Sequence, residues 1–124
     1  MSAKKIIGSA PGLRRFPSKA TAAMLALADG GAFKIDEATA IRRTKKMIAW
    51  DTGLNYGQIS TSQDLAVDLN YSDSNKQDLK GPIDSYWFAD VEANASAADL
   101  KKATTVGDLA SRIFNKYVPA IYRM

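Results

Sequence analysis

The stretch DLNYSDSNKQDLKGPI, residues 68–83, sets a polar Ser-Asp-Ser cluster between an Asp-Leu pair and the start of an apolar stripe. Leu79, Ile83 and Trp87 recur at i, i+4 and i+8, the spacing of one face of an α-helix. Ser72, Asp73 and Ser74 stand just ahead of it, and short polar side chains there accept bonds from the unpaired amides of a first helical turn. Ser72 or Asp73 is therefore expected to cap the helix. Gly81-Pro82 interrupts the stripe. Proline removes a backbone donor and crowds the carbonyl one turn back, which predicts a kink or a break into two pieces.

Upstream, QDLAVDL (63–69) reads as one short turn anchored by Leu65 and Leu69. The long connection GLNYGQISTSQ before it is expected to turn Leu54 and Ile59 inward. Asp36 caps a longer helix, EATAIRRTKKMIAWDT, that stops at Gly53; Ala38, Ile41, Ile48 and Thr52 share one face, and Arg42, Arg43, Lys45 and Lys46 crowd the others. SKATAAMLALADGG reads as a short helix between a Ser18 cap and a Gly30-Gly31 stop, apolar nearly all round through Met24, Leu25 and Leu27. Such a helix is buried either on its own body or against a neighbour.

Downstream, SAADLKKA is a one- to two-turn helix capped by Ser96. In TTVGDLASRIFNKYV, Thr105 and Asp108 have capping-box spacing; Val106, Leu109, Ile113 and Tyr117 make the buried face, and Pro119 ends the helix. No segment alternates with period two and none repeats. The fold class is all-α, with Ile41, Ile48, Leu65, Leu69, Leu79, Ile83, Trp87, Leu109 and Ile113 expected to be buried together.

The 124 residues include no cysteine and no histidine. That removes disulfides, thiol nucleophiles, Ser-His-Asp and Cys-His machinery and nearly every zinc site. No apolar run approaches the ~18 residues of a membrane span. Asp90 and Glu92 are a pair of acids with no partner base, so they read as solvated loop acids; no catalytic site is apparent, and the chain is not read as an enzyme. Charge is unevenly placed. Residues 1–50 carry ten Lys/Arg against three acids, whereas residues 51–108 carry four lysines against ten acids. A basic arm precedes an acidic body. The arm is rich in Lys, Arg, Ser and Ala and poor in acids, which resembles a mitochondrial targeting sequence; a plain basic arm on a cytoplasmic protein is the other reading.

From Arg43 to Val106 the ordered pieces resemble an acyl carrier protein. RTKKMIAWDTGL ends a first helix at a glycine; Ile59-Ser60 lies in a long loop; Asp68-Leu69 precedes the serine cluster; the Leu79, Ile83, Trp87 stripe and the TTVGDL cap at 104–109 follow. The resemblance implies an acyl-carrier-like four-helix bundle, here over residues 36–118, with a basic N-terminal extension and short apolar helix at 1–35 and a tail at 119–124. It implies 4′-phosphopantetheine on a serine at the start of the second helix, where free amides and the helix dipole suit its phosphodiester. Ser74, or Ser72, is the candidate. The gapless register instead puts Asp73 at the serine position and Ser74 at the following leucine; a one-residue bulge restores Asp73-Ser74 as the Asp-Ser pair, and Asn75 replaces the leucine either way. A carboxylate accepts no such arm, so the preferred reading has no cofactor. Mitochondrial relatives of this kind serve both fatty-acid synthesis and large assemblies, including respiratory complex I, in which they dock on helical partners of the Leu-Tyr-Arg type. The expectation is an accessory subunit of that kind, its partner contacts at Asp73, Asp78, Asp84 and Tyr86 on the body and at Arg14 and Arg15 on the arm. An active acyl carrier is the alternative.

A helix-turn-helix reading of DLAVDLNYSDSNKQDL is a further alternative. Lys76 falls where a recognition helix normally turns an apolar residue inward, and the acidic body opposes phosphate, so nucleic acid is not preferred.

Overall fold

The computed structural model describes residues 17–28, 35–87 and 95–123, and within α1 the side chains of Lys19 and Ala23 are outside that description. Among the described residues the protein is mostly helical, 65%, with no strand, as the sequence pattern predicts. In chain order the helices are α1 (Lys19–Ala28), α2 (Glu37–Thr52), α3 (Asp73–Asp78), α4 (Lys80–Pro82), α5 (Ala97–Leu100) and α6 (Val106–Arg112). Helix α4 runs into a wide turn at Ile83–Trp87, and α6 into another at Ile113–Tyr117.

The caps follow the sequence. The Thr39 amide donates to Asp36 Oδ1 at 2.7 Å, and these bonds to Thr39 hold the Asp36 carboxyl below its ordinary value. Gly53, at φ 82, closes α2 in the left-handed region where a Cβ is disfavoured, and its amide donates to the Ala49 carbonyl at 2.8 Å. Ser18 and Ser96 accept from Thr21 and Asp99 amides. Thr105 Oγ1 accepts from the Asp108 amide at 2.9 Å, but Asp108 Oδ2 accepts from the amide of Thr104 instead of that of the cap residue. The break expected at Gly81-Pro82 is present. Pro82 has no amide to give Asp78, the helix is interrupted at Leu79, and it resumes as α4 before widening at Ile83.

The long connection docks on the start of α6. Val106 and Gly107, whose amides have no partner inside the helix, donate to the Gln63 and Thr61 carbonyls at 3.0 and 2.9 Å. A Cβ at Gly107 would lie 3.2 Å from the Thr61 carbonyl oxygen, a tight approach at which Thr61 would have to give way by a few tenths of an ångström. Leu54, Ile59, Leu65 and Leu69 turn inward as expected and join Leu79, Ile83, Trp87, Leu109 and Ile113 in one core. Each side chain of that size contributes roughly 1.5–3 kcal/mol by leaving water.

Two expectations are corrected. Ile41 is 37% exposed although it shares a side of α2 with buried Ile48. The wall opposite it is built from Gly107 and Ala110, too small to close over it. Arg43, assigned to the polar face, is buried with its guanidinium 5.8 Å from the centre of the Trp87 ring, so its charge rests on an aromatic face. Residues on either side of positions 35 and 119 pack together. Ala22 and Ala26 of α1 belong to the core, α1 packs on Ile83–Trp87, and the Ile35 amide donates to the Tyr122 carbonyl at 2.8 Å.

Candidate functional site

The start of α3 is fixed from below. Asn70 takes φ 63, a left-handed conformation asparagine tolerates better than most residues, and this aims Tyr71 into the core. The Tyr71 hydroxyl donates to Asp51 Oδ2 at 2.6 Å, both groups buried. Burial, and then the charge and hydrogen bond of Asp51, push the Tyr71 hydroxyl well above its ordinary value. The turn is thus pinned to the last turn of α2.

Ser72 then caps α3. Its Oγ accepts from the Asn75 amide at 3.1 Å, while its own amide and hydroxyl donate to Asn75 Oδ1 at 3.0 and 2.8 Å. Asp73 and Ser74 follow as the first two residues of the helix, both exposed. Lys76, one turn on, is buried and donates to the Ala103 carbonyl at 2.7 Å, joining α3 to the segment after α5. The core position noted for it in the sequence is occupied by an aliphatic stem whose ammonium finds a carbonyl.

The expected partner-binding residues divide. Asp73 and Asp78 are exposed, and their side chains make no hydrogen bond or ion pair among the described residues. Asp84 is half-buried, accepting from Lys80 Nζ at 3.0 Å and from the Ala95 amide at 3.3 Å. Tyr86 is a correction: it is buried in this chain, packed edge-on against Trp50 with ring centres 5.1 Å apart, because the wide turn after Pro82 directs it inward. Arg14 and Arg15 lie outside the described residues, as do Asp90 and Glu92.

Asp99 braces α5 against α6, and Asp108 braces the start of α6, accepting from the Thr104 amide and from Arg112 Nε. Asp99 Oδ1 accepts from Arg112 and Lys116 at 3.0 Å each, and Oδ2 from the Tyr117 hydroxyl at 2.8 Å. Burial alone would raise the Asp99 carboxyl, but Tyr117, Lys116 and Arg112 together hold it below its ordinary value. Burial, and then the bond to Asp99, push Tyr117 up to about 12. These acids are engaged in structure.

A cavity of about 190 Å³ opens between α2 and α6, walled by Ile41, Gly107, Ala110 and Phe114 with Glu37 and Ser111 at its polar points. Its size suits one side chain and not a nucleotide-sized ligand. Ser72 and Ser74 are not among its walls. Among the described residues no group of three or more acids is placed to hold a metal ion, and no helix is long and apolar enough to cross a membrane.

Sequence reasoning missed the Asp51–Tyr71 pair, although one signal was present. An acid in the last turn of a helix opposes the macrodipole, and Asp51 stands there. Nothing comparable distinguishes Arg43 from Arg42. In comparisons with known proteins, no family model, no curated protein and no solved structure matches the chain.

Proposed function

We propose that this chain is a small binding subunit with an acyl-carrier-like helical body that enters a larger assembly by docking on a helical partner of the Leu-Tyr-Arg type, without carrying an acyl group. The reading rests on the closed Ser72–Asn75 capping box at the start of α3. The Ser72 hydroxyl both accepts and donates within it, and the neighbouring Asn75 amide is held in the same box. What α3 offers to solvent is Asp73, Ser74 and Asp78. Two carboxylates without partners among the described residues suit a cationic helix, and they oppose the phosphates that a helix-turn-helix would meet.

The exposed Ser74 hydroxyl at the second position of α3 keeps the carrier alternative specific. Intact-mass measurement on protein from its natural source separates the two. The accessory reading expects the sequence mass or that of a processed chain; an addition of about 340 Da, a phosphopantetheinyl group, on Ser74 makes the protein a working carrier. Mitochondrial residence is part of the proposal, and fractionation of the natural source tests it. Docking through Asp73 and Asp78 is expected to weaken with salt, since exposed charges act over roughly 8 Å at physiological ionic strength. Asp73→Asn with Asp78→Asn should remove that salt dependence.

A further inference from the structure

Ile41 has the period of a core residue, yet it stands half-open beside the recess of about 190 Å³ between α2 and α6. Buried Ala40 and Ala110 line the recess from inside, Ile41 and Phe114 flank it, and Gly107 has no side chain to fill it. Apolar walls with nothing opposite forfeit the contacts that a filled core makes. An apolar cavity of about 150 Å³ holds a benzene ring, so this volume suits a ring with a short chain attached.

One wall is charged. Glu37 is the only ionisable residue among the described walls, and its side chain has no hydrogen bond or ion pair among the described residues. An acid in the first turn is favoured by the helix dipole, but Asp36 already closes that end of α2 by accepting from the Thr39 amide. Ser111, the other polar wall, has a hydroxyl that accepts from Asn115 Nδ2 at 3.1 Å and has a second lone pair to offer. Arg123 lies over the Phe114 ring, 5.8 Å from its centre, and forms no ion pair with Glu37. An anion in the recess would be repelled by Glu37, and a neutral hydrocarbon would leave that carboxylate without a partner. An ammonium on an apolar body satisfies both kinds of wall.

We propose that this recess binds a free organic ammonium whose apolar body is about the size of a phenyl ring, with Glu37 and the Ser111 hydroxyl as acceptors for its nitrogen and Ile41 and Phe114 flanking its ring. The site shares no wall with α3 and is independent of the docking role of that helix. The test titrates the full chain with phenethylammonium, with phenylacetate as an anion of similar shape, and with benzyl alcohol as a neutral one, followed by two-dimensional NMR. Phenethylammonium is expected to shift Ile41, Ala110 and Phe114 and to bind about tenfold more tightly than phenylacetate. Glu37→Gln, at an exposed position, should bring the two within about threefold. Ser111→Leu sets an apolar side chain at the recess and should weaken phenethylammonium and benzyl alcohol alike, roughly fivefold or more. Arg123→Gln removes the cation over Phe114 and should leave phenethylammonium binding equal or stronger. Circular dichroism checks the fold, and should Ser111→Leu misfold, Glu37→Gln carries the test. No shift at the recess, phenylacetate bound as tightly as phenethylammonium, a preference that survives Glu37→Gln, or binding indifferent to a well-folded Ser111→Leu each overturns the proposal. So does tighter binding of a helical peptide with phenylalanine and lysine one turn apart, which would make the recess a protein contact. Asp73→Asn with Asp78→Asn should leave amine binding unchanged, so failure of the α3 docking role and failure of this site are read separately; amine binding lost in that variant would place the ligand on α3 and overturn the assignment.

Discussion

Replacing Tyr71 by phenylalanine keeps the ring and its packing and removes one hydroxyl. That hydroxyl lies 2.6 Å from Asp51 Oδ2, the length of a charge-assisted O–H···O bond, with both residues buried. A hydrogen bond to a charged group is worth roughly 1.5–3 kcal/mol, and the carboxylate left behind keeps its desolvation cost without this donor. The expected loss is about 2–3 kcal/mol. For a domain between the usual small and medium sizes that lowers Tm by roughly 6–12 °C. Urea unfolding of the single variants Tyr71→Phe and Asp51→Asn, and of the double variant, should give a coupling energy of about 1.5 kcal/mol or more, since each single change leaves one partner behind. The pH dependence adds a second reading. Tyr71 titrates above its ordinary value of 10.0 in the folded chain, so its contribution is fully present below pH 10 and is lost as pH rises through the folded value. The gap between wild type and variant should therefore narrow above pH 10. A Tyr71→Phe protein within 0.5 kcal/mol of wild type, an estimate of ordinary surface-level change, would refute the claim that this pair pins the start of α3.

Lys76→Met keeps the buried stem and removes the ammonium, so its stability should stay within about 1 kcal/mol of wild type, whereas Lys76→Ala opens a void and should cost roughly 2–3 kcal/mol. Urea midpoints distinguish them. Gly107→Ala gains about 1 kcal/mol of helix propensity but sets a Cβ 3.2 Å from the Thr61 carbonyl that its own amide holds; net destabilisation of about 1 kcal/mol is expected, and a stabilised variant would show that the loop yields. Asp99 and Asp108 titrate below 3.8, so their contribution is present above that value and disappears as pH falls through the lower folded values. Asp99→Asn should therefore cost on the order of 1 kcal/mol at neutral pH and progressively less as pH falls below 3.8, measured by thermal melts across the acid range.

The elements that the sequence displayed were those whose signals are local. Asp36, Ser96 and Thr105 sit where a cap must sit, and Leu79, Ile83 and Trp87 repeat at the helical period, so each could be placed from its neighbours alone. Misplaced residues depended on what lay opposite. Ile41 has the period of a core residue, but only the three-dimensional pairing with Gly107 and Ala110 leaves it open. Arg43 is buried because Trp87 receives its charge, and Trp87 is far from it in sequence. Helix α1 is apolar nearly all round, so periodicity had no face to indicate, and the inward placement of its alanines had no local signal. For the candidate site, a serine-or-aspartate cap was readable, and Ser72 fills that role. The burial of Tyr86 was not readable, because it follows from the wide turn after Pro82.

Charge placement decides how the docking reading must be tested. Counted along the chain, residues 51–108 hold ten acids and look like an electrostatic surface. Counted in the fold, six of the eight described acids are engaged within the chain: Asp51 with Tyr71, Asp64 and Asp68 with turn amides, Asp84 with Lys80, Asp99 and Asp108 with Arg112. Neutralising any of those changes folding before it changes a partner's approach, and a salt titration of the whole protein mixes the two effects. Asp73 and Asp78 are different, since they hold nothing else among the described residues in place. A change of binding with unchanged stability can therefore be sought at these two positions, on the outer side of a helix whose inner side is fixed by Tyr71 and Lys76.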